Sequence, residues 1–195
     1  MKIDQSGHLD QARYIASPNY NERPQGEKVS LIVIHNISLP AGQFGGSDVE
    51  SLFTNRLNCS QHESYQDLAE LRVSSHFFIR RDGKIIQFVP VNKRAWHAGV
   101  SSYLGRENCN DFSVGIELEG TDDLAYEQVQ YHVLVELCQA LIDALPELSP
   151  EHISGHEHIA PGRKTDPGPS FDWAHFNRLL QEGLALEGQN VERVK

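Results

Sequence analysis

Three separated stretches of the 195-residue chain carry side chains able to do chemistry. "GHEHIAPGRKTDPGPSFDW", residues 155–173, holds His156 and His158, then Arg163-Lys164, then Asp166, with His152 just upstream. His35 ends the apolar run SLIVIH, and Glu117 and Glu119 lie in VGIELEG, residues 114–120. Two imidazoles and one carboxylate, with a fourth position left to water, form a coordination set of catalytic rather than structural Zn²⁺. His35, His156 and Asp166 are one such set. Pro161-Gly162 can turn the chain after His156, and Pro167-Gly168-Pro169 stiffens the exit, so the loop can return Asp166 beside His156. A rival set is local. His152, His156 and His158 share one face of an extended strand. The rival leaves the Pro/Gly loop unexplained, yet spacing alone does not exclude it.

These groups need elements to hold them. The short β-branched run 30–35 predicts a buried central strand that delivers His35 to a cleft. The next stretch, NISLPAGQFGGSD, is loop, and Ser47 or Asp48 can cap a helix over roughly 48–57. HFFIR (76–80) and KIIQFV (84–89) flank Asp82-Gly83, a hairpin signal. VGIELEG predicts a strand with Glu117 and Glu119 on the face opposite Ile116 and Leu118. Residues 125–145 place Val129, Val133, Leu137, Leu141 and Leu145 on one helical stripe, which Leu134, Cys138 and Ile142 broaden and Pro146 ends. HISGH (152–156) reads as a short strand and 172–184 as a final helix. The fold class expected is α/β, a single domain with a central mixed β-sheet flanked by helices. Residues 1–29 are a polar, turn-rich N-terminal arm packed on the domain, 30–185 the domain proper, and 186–195 a C-terminal tail.

Composition narrows the function classes. One core in a chain of this size can bury roughly 70% of the surface of the unfolded chain, so no staple is required. The three cysteines, Cys59, Cys109 and Cys138, form neither a CxxC pair nor a disulfide framework. The N-terminus lacks the apolar stretch of an export signal, and no segment approaches a membrane span. A cytoplasmic monomer with no membrane partner is expected. The net charge of −10 argues against a general nucleic-acid binder.

"VIHNISLPAGQFGG", "AWHAGVSSYLGRENCNDFSVGIELEGT" and "GHEHIAPGRKTDPGPSFDW", with "SPNYNERP" in the arm, resemble the AmpD-type 1,6-anhydro-N-acetylmuramyl-L-alanine amidases. These are zinc amidases related to peptidoglycan recognition proteins and T7-type lysozyme. The resemblance runs from about residue 17 to about residue 180. It implies that fold, zinc on His35, His156 and Asp166, and a bystander's part for His158, within a segment that in the family more often reads Gly-His-Ser-Asp-Ile-Ala-Pro. His152, His76 and His97 are then structural or surface histidines.

The reaction implied is hydrolysis of the amide joining the lactyl group of (anhydro-)N-acetylmuramic acid to L-alanine. It belongs to the recycling of cell-wall fragments and lowers a muropeptide signal that induces β-lactamase. Zinc polarises a carbonyl and brings the pKa of bound water to about 7. Lys164, two residues before Asp166, is implied as the cation that meets the developing oxyanion. Glu117 is implied as general base and then acid, with Glu119 a structural or rim residue. The substrate is a small anionic muropeptide. Asn36 can donate a hydrogen bond to it, Trp96 can offer an apolar face, and Arg72 and Arg106 can bind carboxylates. Asn108, where the family usually has a second arginine, and Ala160 complete the expected contacts. Two other readings stay open: a non-catalytic peptidoglycan-binding module of the same fold, and a periplasmic amidase acting on intact wall.

Overall fold

The computed structural model describes the backbone of residues 1–192 and the side chains of residues 1–186. In chain order its elements are β1 (Arg13–Tyr14), β2 (Tyr20–Asn21), β3 (Leu31–Ile37), α1 (Asp48–Phe53), β4 (Phe77–Ile79), β5 (Ile85–Gln87), β6 (Arg94–Ala95), β7 (Ser102–Tyr103), β8 (Arg106–Glu107), β9 (Ser113–Glu119), α2 (Gln128–Ala144), β10 (Ile153–Gly155), α3 (His156–Ile159) and α4 (Trp173–Glu192). Six strands form one sheet in the order β1-β5-β4-β9-β3-β10. Strands β4, β9, β3 and β10 run parallel, and β5 pairs antiparallel with β4. The sheet is mixed and flanked by helices, the class expected.

Alternation along β3 and β9 divides the molecule into two layers. Ile32, Ile34, Ile116 and Leu118 enter a core shared with Phe77 and Ile79 and covered by Leu134, Leu137, Leu141 of α2 and Phe176, Leu180 of α4. Leu31 and Val33 point the other way, into a smaller cluster with Ala98, Phe112 and Ile159. A third cluster joins Val49, Leu52 and Phe53 of α1 to Phe78 and Phe88. Both faces of β3 are covered, which is why its sequence reads as a continuous apolar run rather than an alternating one.

Element ends differ from the sequence expectations for local reasons. Helix α1 stops at Phe53 rather than 57 because Asn55 takes a left-handed φ of 57°. Helix α2 starts at Gln128, where Gln130 Oε1 accepts the Glu127 N–H at 3.0 Å. Its buried stripe is displaced, with Tyr131 and Leu134 buried but Val129 41% exposed against the Asp82-Gly83 turn. That turn gives Gly83 a φ of 81° and joins β4 to β5, shorter strands than 76–80 and 84–89. The Gln130 amide donates to Glu119 O (3.1 Å) and Ile79 O (3.3 Å), tethering α2 to the ends of β9 and β4. Strand β10 occupies only 153–155, because α3 begins at His156. Helix α4 continues past 184 to Glu192, so residues 186–192 of the expected tail are helical. Residues 193–195 lie outside the described residues. No described helix is long and apolar enough to cross a membrane.

The arm is part of the architecture. Strand β1 pairs with β5, and β2 pairs with β6. Arg23 inserts its guanidinium among backbone carbonyls, donating to Asn110 O (3.1 Å), Asp111 O (2.9 Å), Val91 O (3.1 Å) and Ser113 O (2.9 Å). Burial, with Arg94 nearby and Asp111 opposing, pushes it down to about 10, so it stays charged at neutral pH. Removing it would strand four carbonyls where few other donors reach. Arg23→Ala is expected to destabilise the protein by about 2–4 kcal/mol. Urea unfolding measures this, and Arg23→Lys should recover only a fraction, since an ammonium cannot fork across four acceptors.

Candidate metal centre

The register of β3 against β9 makes His35 the direct neighbour of Glu117, so both side chains rise from the same face near the C-terminal ends of parallel strands. That end of an open α/β sheet is where ligands usually bind. On the other side of β3, β10 delivers His156 as the first residue of α3. Asp166 arrives on the loop between α3 and α4, and four contacts fix that loop. Its own carbonyl accepts the Glu157 N–H at 2.9 Å. The next carbonyl, Pro167 O, accepts from Tyr126 Oη (2.8 Å) and Asn36 Nδ2 (3.1 Å). Gly168, at φ 80°, lies so close to Asp122 that a Cβ would stand 2.4 Å from its Cα.

Three donor atoms converge as a result. His35 Nδ1 lies 2.9 Å from His156 Nδ1, and each lies 3.0 Å from Asp166 Oδ2. Ligands held about 2.0–2.2 Å from one ion lie about 3–3.5 Å from one another, so the spacing suits a metal. The chemistry of the donors agrees. His156 Nε2 donates to Ala98 O at 3.1 Å, which in the neutral ring leaves a lone pair on Nδ1. That lone pair faces a second imidazole nitrogen and a carboxylate oxygen, an arrangement short of protons. His35, His156 and Asp166 thus form a group that can hold a metal ion. Burial pushes His35 down to about 4, so its ring is neutral at pH 7.

The local three-histidine set does not assemble. The turn into α3 breaks the strand face that would have aligned it. His158 is exposed beside Trp173, and His152 meets Tyr103 Oη at 3.2 Å.

Beside the triad lies a cleft of about 520 Å³, lined by Glu117, Trp96, Arg72, Lys164 and the apolar Leu52 and Leu68. Glu117 is only 9% exposed, and its Oε2 has no hydrogen-bond partner. Burial, reinforced by the charge of Asp166 and opposed by Lys164, holds its carboxyl well above the usual range. Glu119 has the opposite environment. Its oxygens accept Gly45 N–H (2.6 Å) and Arg81 N–H (3.0 Å), pinning the loop after β3 to the hairpin. Lys164 is exposed at the rim, with no hydrogen bond or ion pair to its ammonium among the described residues.

The remaining expected contacts divide. Trp96 lines the cleft, with its indole N–H bound to Asn21 Oδ1 at 2.6 Å, and Arg72 lines it from an exposed position. Asn36 borders the cleft, but both its amide N–H groups are engaged, on Asp122 Oδ1 (2.7 Å) and Pro167 O (3.1 Å). It braces the Asp166 loop and is not free to donate to a ligand. Arg106 lies outside the cleft, paired with Glu27 at 2.8 Å and stacked 3.7 Å from the centre of the Phe112 ring. Asn108, at φ 58°, and Ala160 line a separate shallow groove that also touches Arg163.

Sequence reading missed two residues. His97 Nδ1 lies 2.9 Å from His35 Nε2, against the triad rather than apart from it. Arg163 donates to Ala98 O (2.6 Å) and Val100 O (2.7 Å), tying the loop that carries Asp166 to the segment that holds His97. One signal was available for His97. Gly115 falls on the same face as Glu117, one step down the strand, and marks a slot that another side chain must fill. His76 is structural, as expected. It accepts the Gly115 N–H and donates to Lys93 O, and burial, with Arg23 beside it, pushes it down to about 3.

Residues 25–169 match the N-acetylmuramoyl-L-alanine amidase family. The chain is 56% identical over 180 residues to the 1,6-anhydro-N-acetylmuramyl-L-alanine amidase AmpD of Citrobacter freundii, covering 92% of this chain and 95% of that one. It superposes on the crystal structure of a selenomethionine derivative of AmpD with a TM-score of 0.89 at 56% identity, over 92% of this chain and 99% of the other. It also resembles Escherichia coli AmiD, solved with the substrate anhydro-N-acetylmuramic acid-L-Ala-D-γ-Glu-L-Lys (TM-score 0.57, 27% identity, 91% of this chain and 65% of that one).

The unpaired Glu117 carboxyl has a consequence for the metal-free protein. Its pKa is raised on folding, so the native state keeps a proton that the unfolded chain releases. The associated stability is full below the ordinary carboxylate range, about 4.3, and is lost as pH rises above it. Glu117→Gln should therefore melt higher than the parent at pH 7–8, with the gap closing towards pH 4. Thermal melts in chelator across that range measure it, and a constant gap would show that Glu117 is solvated.

Proposed function

The chain belongs to the N-acetylmuramoyl-L-alanine amidase family, and on that premise we propose that it is a zinc enzyme that hydrolyses the lactyl–L-alanine amide of 1,6-anhydro-N-acetylmuramyl peptides released from the cell wall. The observation that carries the zinc reading is the approach of three proton-poor donor atoms to 2.9–3.0 Å beside a buried, unpartnered carboxyl. The substrate reading is supported by the anhydromuramyl amidases among the relatives and by the muropeptide bound to AmiD. A binding module needs no such carboxyl held in reserve.

In this reading His35, His156 and Asp166 hold the ion, which when bound supplies Lewis acidity and a nucleophilic hydroxide at neutral pH. The chain does the rest. Glu117 takes a proton from the attacking water and returns it to the departing nitrogen. Burial raises the pKa of this carboxyl, which makes its ionised form a stronger base than an ordinary carboxylate. The ammonium of Lys164, free at the rim, meets the negative charge that develops on the carbonyl oxygen. Trp96 offers its indole face to the sugar or peptide, and Arg72 offers its guanidinium to a stem carboxylate. Apolar Leu52 and Leu68 keep bulk water from the reacting bond.

Purified protein should carry about one zinc per chain. His35→Ala, His156→Ala and Asp166→Ala should each lose it, while His158→Ala keeps it. Glu117→Gln and Lys164→Ala should retain zinc and lose turnover by about 10²–10⁴-fold and 10²–10³-fold. Mass spectrometry of anhydromuramyl-tripeptide digests follows free peptide and anhydro-N-acetylmuramic acid. Undiminished cleavage after chelation would remove zinc from the reading, and absence of product from the metal-loaded protein would leave a binding module.

A further inference from the structure

We propose that His97 is a positioning residue which, with Ser113, locks His35 in the tautomer whose bare Nδ1 faces His156 and Asp166. The inference rests on the metal reading above, but its logic lies in hydrogen bonds of the protein alone.

Ser113 Oγ lies 2.6 Å from Cys109 O and 3.1 Å from His97 Nε2. A carbonyl only accepts, so the hydroxyl proton is committed to Cys109 O. Ser113 Oγ can then only accept from His97, and Nε2 of His97 must carry its N–H. A neutral imidazole has one such proton, so His97 Nδ1 is an acceptor. It lies 2.9 Å from His35 Nε2, which must therefore donate. The single proton of neutral His35 is thus drawn to the far side of the ring, and Nδ1 is left bare. The chain has one polarity because it ends on a carbonyl, and reversing any link would set two protons or two lone pairs against each other.

This direction is not the one His35 would take by itself. With Asp166 Oδ2 3.0 Å from its Nδ1, a proton on Nδ1 would gain a charge-assisted hydrogen bond. That tautomer blocks a metal, because the proton must be displaced before the nitrogen can coordinate. The relay opposes it. The fold is built to hold the relay in place. Gly115 leaves the space His97 occupies, since a Cβ there would stand 2.5 Å from both Cγ and Nδ1 of the ring. Asn110 Oδ1 accepts the N–H groups of His97 (3.0 Å) and Ala98 (2.8 Å), and Arg23 in turn holds the carbonyls of Asn110 and Ser113. The arm therefore supports the relay that orients the ligand.

The test compares full-length wild type, His97→Leu, His97→Gln and Ser113→Ala, each labelled with ¹⁵N-histidine. Nitrogen shifts of His35 in zinc-free protein at pH 7 read the tautomer, and competition with a chromophoric chelator reads zinc affinity. Wild-type His35 should be protonated at Nε2 only. His97→Leu should move the proton towards Nδ1 and weaken zinc about 10–100-fold. His97→Gln, whose carboxamide can accept from His35 and donate to Ser113, should restore both readouts. Ser113→Ala frees His97 to flip and should fall between. A His97→Leu protein with the native tautomer and native affinity overturns the proposal, as does wild-type His35 protonated at Nδ1. If His97→Leu fails to fold, the Gln and Ser113→Ala variants carry the comparison. If wild type binds no zinc, the metal reading fails, and the tautomer measurement on the same protein still decides the relay.

Discussion

The parallel ladder between β3 and β9 is the constraint from which the site follows. Seven residue pairs run in one register, from Leu31 against Ser113 to Ile37 against Glu119. Side chains opposite each other in register share a face, so one face carries Leu31, Val33 and His35 beside Ser113, Gly115 and Glu117. The row on β9 therefore has a hydroxyl, a gap and a carboxylate next to an apolar, apolar, histidine row on β3. A slip of one residue would turn His35 towards α2 and α4 and bring Ile34 into the cleft. Burial of Ile32, Ile34, Ile116 and Leu118 in the larger core makes that slip prohibitive. Four large apolar side chains, worth about 1.5–3 kcal/mol each when fully buried, thus hold the polar residues on the opposite face in position.

Two carboxylates on that strand show how environment, rather than residue type, assigns a role. Glu117 and Glu119 are two residues apart and both are buried. Glu119 receives two backbone N–H groups and is spent on holding a loop. Glu117 receives none on Oε2 and lines the cleft with that oxygen unpartnered. Local cations act in a similar way at the rim. The chain carries a net charge of −10, yet Lys164, Arg72 and Arg163 border the cleft. Screening over about 8–10 Å at moderate salt mutes the distant repulsion more than contacts at the rim, so an anionic ligand meets mainly the local cations.

What could be read in the sequence was what periodicity and turn chemistry encode. The run SLIVIH, the Asp82-Gly83 hairpin and the stripe of α2 marked the sheet and its cover, and the Pro/Gly loop after His156 marked the return of Asp166. Three kinds of fact were not encoded locally. The short pairings β1–β5 and β2–β6 depend on backbone bonds to strands far along the chain, and polar, turn-rich sequence gives no sign of them. The fate of Asn36 depended on where Asp122 and Pro167 would lie. That of Arg106 depended on Glu27 and Phe112. The part played by His97 depended on the loop 96–99 folding back over Gly115. Each is a tertiary contact between residues distant in sequence, so no window of residues contains it.

The site is also a place where the fold works against its own stability. Three donor atoms short of protons are pressed to 3 Å, and a carboxyl lies buried without a full set of partners. Neither arrangement would survive in an isolated loop, because water would separate the groups. They persist because each donor is attached to something that cannot yield: His35 to a central strand, His156 to a helix start beside that strand, Asp166 to a loop braced by Tyr126, Asn36 and Gly168. A cation at the triad would reverse the balance, turning repulsion among lone pairs into coordination. It would also bridge residues 121 apart along the chain, and because the unfolded chain has no preformed site, its binding would favour the folded state. The stability lost in shaping the site is thus recoverable by the ion the site suits.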